Sequence, residues 1–180
     1  LVFCSGENCF IVDDKGIAYE NADVSSEEFL NNGLILLKDN NGKSITPEEN
    51  VLEESYINYV SSISGKLKNE LDINITREME TPTKVSADIK TMADEGWAIF
   101  FSTDIELEKE TEMLKVVLEN IIEKEKRKDL EYVDLRSDNK VFYKFKEGVQ
   151  EETNVETSDQ NAKTESKDEK KDDSKKKKKN

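Results

Sequence analysis

Histidine is absent from the 180-residue chain. With it go Ser/His/Asp and Cys/His nucleophilic catalysis and every metal site built on imidazole. Cysteine occurs twice, as Cys4 and Cys9. Two thiols are too few for a structural zinc site, and their C-x4-C spacing is not that of a redox C-x-x-C pair. They flank a hairpin turn, so two readings stand side by side. One is a cross-strand disulfide in an oxidising compartment; the other is a pair of half-buried thiols used as small apolar residues. Glycine-rich phosphate loops and the G-x-S-x-G elbow are also missing. No run approaches the ~18 apolar residues of a membrane span, and no signal peptide is visible. The chain opens on Leu1, inside a strand-like pattern, so a piece of a longer protein is expected.

Acid is plentiful. The net charge is −14, and residues 1–146 hold 31 acids and 18 bases, against 10 and 9 in residues 147–180. A body this acidic repels phosphate backbones, which argues against nucleic acid as a partner. After Gly148 there is no aromatic residue, and Val149 and Val155 are the last aliphatics larger than alanine. Composition therefore divides the chain into a folded body, 1–146, and a disordered charged tail, 147–180, ending in a lysine run.

Turn residues punctuate the body. Ser5-Gly6-Glu7-Asn8 and Asp14-Lys15-Gly16 predict a three-strand meander over residues 2–20. Residues 21–32 read as a polar loop, and Leu34 to Leu37 as a buried strand. In Asp39-Asn40-Asn41-Gly42 a calcium loop with Gly42 at its sixth place would put Leu37 at the first, where an oxygen ligand is needed, so a turn is expected. Thr46-Pro47-Glu48-Glu49 reads as a capping box opening a helix, with Leu52, Tyr56, Tyr59, Val60 and Ile63 on its buried stripe and Gly65 at its end. Two strands follow, through Ile73 to Met79 and Val85 to Ile89, and then the apolar strand Trp97 to Phe101 after a turn at Gly96. A second helix begins near Asp104. Acids (Glu106, Glu108, Glu110, Glu112) crowd its first turns, and Lys124, Lys126, Arg127 and Lys128 its end, as the helix dipole favours.

The last two segments of the body alternate. In Leu130 to Arg136, Leu130, Tyr132, Asp134 and Arg136 share one face, and Val133 and Leu135 the other. In Lys140 to Phe145, Val141, Tyr143 and Phe145 alternate with Lys140, Phe142 and Lys144. This hairpin is expected to close the sheet, with its last, lysine-flanked strand on the edge. Asp134 is the one acid singled out, and pairing with Arg136 is its structural role. The fold class is α+β: a bent, mostly antiparallel sheet backed by two amphipathic helices. No enzyme chemistry, metal or cofactor is expected.

Glu131-Tyr-Val-Asp-Leu-Arg136, the short turn and the strand to Phe145 resemble the end of the extracytoplasmic β domain of the FtsQ/DivIB cell-division family, which commonly shows Y-[IV]-D-L-R there. Cys9 to Ala22 is similar to a strand-turn-strand near the start of that domain. Ser137 stands where some members carry an aromatic. The resemblance implies a non-enzymatic divisome scaffold on the extracytoplasmic side of the bacterial membrane, at the division septum. Its anchor and a small POTRA domain would precede this chain. FtsB/DivIC-like and FtsL-like proteins would be its partners, adding a strand at Lys140, Val141, Phe142, Tyr143, Lys144 and Phe145, next to Arg136; this is β-augmentation. The alternative is an extracytoplasmic carbohydrate- or peptidoglycan-binding module, with Trp97 and the tyrosines as a stacking platform.

Overall fold

The computed structural model describes residues 1–147, 153–156 and 163–165. In chain order the elements are Val2–Ser5 (β1), Asn8–Val12 (β2), Ala18–Asn21 (β3), Glu27–Asn32 (α1), Leu36–Asp39 (β4), Glu54–Leu71 (α2), Ile75–Thr81 (β5), Asp88–Ala93 (β6), Ala98–Ser102 (β7) and Leu107–Asn120 (α3). A short 3-10 helix at Lys124–Asp129 leads into Leu130–Ser137 (β8), Lys140–Phe145 (β9), Thr153–Glu156 (β10) and Lys163–Glu165 (β11). All strands join one sheet, in the order β11-β10-β9-β8-β7-β6-β5-β4-β1-β2-β3.

The architecture is α+β, as composition and periodicity predict, with a mostly antiparallel sheet. Within β1 to β9 only the junctions β1–β4, β4–β5 and β7–β8 are parallel. The last two are crossovers through α2 and α3, and both step the same way along the sheet from strands that run the same way. Right-handed crossovers of that kind place their helices on one face, and α2 and α3 indeed pack against each other. Their stripes meet the inner face of the sheet: Tyr56, Val60, Ile63 and Leu67 of α2, and Leu114, Val117 and Leu118 of α3, share one core with Phe3, Leu37, Ile99, Phe101 and Val133. Each such side chain contributes about 1.5–3 kcal/mol. Among the described residues the opposite face carries a second, smaller cluster at the β1–β4 end, where Phe29 of α1 packs with Val2, Cys4 and Leu36.

Several boundaries differ from expectation, each for a local reason. Residues 27–32 are not loop: Ser26 accepts the Phe29 amide as an N-cap and Gly33, at φ 72°, closes this short helix. At Thr46 half of the capping box forms, without its helix, since the Glu49 amide donates to the Thr46 carbonyl and not to its hydroxyl. Glu49 accepts the Thr46 amide at 3.1 Å, but Glu48 sits in the left-handed region at φ 69°, which no helix can continue. Helix α2 starts at Glu54 instead and passes through Gly65 to Leu71. A mid-helix glycine costs about 1 kcal/mol, less than the gain from burying Leu67 just beyond it. Asp72, at φ 54°, then stops it. The strand expected from Val85 begins at Asp88, and Val85 is 86% exposed. The basic cluster 124–128 lies in the 3-10 helix, while the last turn of α3 holds no basic residue. No helix among the described residues is long and apolar enough to cross a membrane.

Candidate functional site

Strands β8 and β9 end the body as the alternation predicts. Val133, Leu135, Val141, Tyr143 and Phe145 face the core. Leu130 is the exception: it is fully buried rather than sharing the face of Tyr132, because a register shift between Leu130 and Tyr132 turns it inward. On the outer face Lys90, Phe100, Asp134 and Phe142 form one cross-strand row.

Arg136 organises that face. Its Nε and one terminal nitrogen donate to the two Asp134 oxygens at 2.9 and 2.6 Å, and the other terminal nitrogen donates to Asp88 at 2.8 Å. The guanidinium lies 4.9 Å from the Phe100 ring centroid, and Phe100 meets Tyr132 edge to face at 5.9 Å. Fork-like pairing with a carboxylate, together with stacking, is what arginine does and lysine does not. The Asp134 hydrogen bonds hold the Arg136 pKa above its ordinary range, against the cost of burial. The expected Asp134–Arg136 pair is therefore present, extended by an unforeseen third member, Asp88. A depression of about 190 Å³ beside it is lined by Thr81, Pro82, Asp88, Lys90, Phe100 and Arg136. Its charged groups already pair with one another.

Lys140 to Phe145 carry the expected contact positions, with Lys140 exposed, Phe142 and Lys144 half-buried, and the other three in the core. The Lys146 amide donates to Asp129, on the β8 side, at 2.8 Å. Alternation along the unbroken strand then turns the amides of Val141, Tyr143 and Phe145 to the outer edge. That edge is not bare. β10 pairs with it antiparallel, Thr153 opposite Tyr143 and Val155 opposite Val141. The last strand of the body was expected at the rim of the sheet; a segment of the tail lies beyond it. The rest of the expected disordered tail falls largely outside the described residues.

Cys4 and Cys9 are directly opposed in β1 and β2 and form a disulfide, their Cα atoms 4.1 Å apart. Trp97 is fully buried and its indole donates to Glu95 at 3.0 Å, so it is a core residue and not part of a stacking platform.

Sequence reading missed Glu110. On α3 it is fully buried, accepting the Ser102 amide at 2.8 Å and the Tyr59 hydroxyl. Burial pushes its carboxyl up to about 7, against the opposing pull of those two hydrogen bonds. Burial also raises the Tyr59 phenol, reinforced by its bond to Glu110. Glu110 was recognisable by its place between Leu107 and Leu114, on the apolar stripe. No cluster of three or more potential metal ligands occurs among the described residues.

Compared with protein-family models and with curated proteins, the chain matches none.

Proposed function

We propose that this chain is a non-enzymatic scaffold of the bacterial divisome, similar to the β domain of FtsQ/DivIB proteins. It works on the extracytoplasmic side of the membrane and binds FtsB/DivIC-like or FtsL-like partners by strand addition at β9. The observation that carries the reading is the use of this edge. The outward amides of Val141, Tyr143 and Phe145 form a row of donors, and β10 demonstrates that a strand fits there in antiparallel register. Main-chain bonding of this kind supplies affinity, and side chains at alternate positions supply selectivity. The half-buried Phe142, in one row with Asp134 and Phe100, offers the aromatic contact beside the added strand.

The test is binding of the full chain to the extracytoplasmic segment of the same organism's FtsB/DivIC-like protein, with hydrogen exchange read over residues 140–145 and 153–156. Faster exchange at residues 153–156, whose place on β9 the incoming strand takes, with residues 140–145 still protected, and an affinity about tenfold weaker in Phe142→Asp, support strand addition. Phe142 is preferable to Tyr143 as the site of change, because Tyr143 is a core residue. Absence of binding, or a footprint confined to the β3 edge, refutes the reading.

A further inference from the structure

The tail offers the β9 edge an occupant of its own. Thr153–Glu156 pairs with Lys140–Tyr143 over four residues, with Val155 opposite Val141 and Glu156 opposite Lys140. In composition, too, the segment stands apart: Thr153, Val155 and Thr157 give a period of two and three β-branched residues within a stretch otherwise rich in Asn, Asp, Glu, Gln and Lys. Only residues 146–152 separate it from β9. A strand tethered this closely acts at an effective concentration in the millimolar range.

We propose that Thr153–Glu156 is an intrachain competitor for the β9 edge, so that an extended segment from another protein binds only by displacing it. The amides of Val141 and Tyr143 bond to one strand or the other, never both, since each is a single donor. Occupancy by β10 therefore lowers the affinity of any incoming strand by the ratio of its closed to open populations. The inference rests on the strand-addition reading for its biological sense, but not for its physics.

The experiment uses the full chain and a full-chain Thr153→Pro/Val155→Pro variant. By their register these prolines remove the two β10 donors that face β9, and they leave untouched the core, which lies within residues 3–145. The first probe is a synthetic peptide of residues 150–167 supplied in trans. It is expected to bind the variant at least about tenfold more tightly than the wild type, while exchange at Val141 and Tyr143 is fast in the variant alone and slow in the wild type at every protein concentration. Equal peptide binding to both proteins, or protection of these amides that grows with protein concentration, overturns the proposal; the latter would make the pairing one between two copies. The second probe is the FtsB/DivIC-like segment. If the peptide discriminates and this segment binds neither protein, the self-pairing stands and the divisome reading falls.

Discussion

Replacing Glu110 by glutamine tests the energetics of the interface between α2, α3 and β7. The Glu110 carboxyl titrates near 7 in the fold because burial disfavours its charge, against 4.5 in the unfolded chain. Between those values the folded state keeps a proton that the unfolded state has released. The protonated acid's contribution is thus complete below about pH 4.5 and is lost as pH rises through about 7. A shift of this size corresponds to about 3 kcal/mol. Glutamine reproduces the protonated acid: its carbonyl accepts the Ser102 amide and its NH2 donates to the Tyr59 oxygen. Urea unfolding of both proteins from pH 4.5 to 8.5 provides the assay. It can follow the emission of Trp97, the only tryptophan in the chain and fully buried. Taking the difference between the two proteins cancels the other carboxylates. Glu110→Gln should match the wild type near pH 4.5 and exceed it by about 1–3 kcal/mol at pH 8, a rise in Tm of about 2–4 °C per kcal/mol. Glu110→Ala, which strands the Ser102 amide and Tyr59 hydroxyl, should be less stable than glutamine at every pH by about 1–3 kcal/mol. A wild-type/Gln difference that does not vary with pH would refute the argument.

Two further variants probe the other end of the sheet. Cys4→Ser/Cys9→Ser opens a bridge between residues only five apart, so its chain-entropy contribution is modest, about 2 kcal/mol. The urea midpoint of the double variant should equal that of the reduced wild type, and a drop several times larger would mean that the thiols pack badly once parted. Gly16→Ala should destabilise by more than about 2 kcal/mol by the same measurement. Gly16 sits at φ 84°, and an added Cβ would fall 1.8 Å from the Leu52 carbonyl oxygen, a backbone atom that cannot swing aside. An alanine variant of wild-type stability would show that the 48–52 segment yields easily.

The meander and the β8–β9 hairpin were legible because their determinants are local: turn residues, and alternation over five or more positions. Asp134 and Arg136 were likewise readable as neighbours on one face. The failures share a cause. At Thr46 the capping signal is real and its hydrogen bond forms, yet the backbone of Glu48 diverts the chain, and nothing within four residues encodes that choice. Gly65 looked like a stop, but the burial of Leu67 beyond it decides the matter, and that is a tertiary effect. Asp88 as the third member of the Arg136 cluster depends on β6 lying two strands from β8, an order that sequence spacing does not carry. For Glu110 the stripe position was visible, but the alternating acids around it at 106, 108 and 112 disguised a buried group as part of a charged helix start. The strand at Thr153–Glu156 was hidden in the same manner, by the polar stretch around it.

The order of strands has one more consequence. β4-α2-β5-β6 and β7-α3-β8-β9 are the same unit laid down twice: a strand, a crossover helix, a parallel neighbour and a hairpin return, displaced three positions along the sheet. In the first copy the return strand β6 is met antiparallel by β7, which begins the second. β9 is the counterpart of β6, and the strand that meets it antiparallel is β10. An architecture that grows by translation presents at its growing end the same surface it has already used internally. Seen in this way β10 stands where a third copy would begin, and whatever else pairs with β9 takes the place of that missing module.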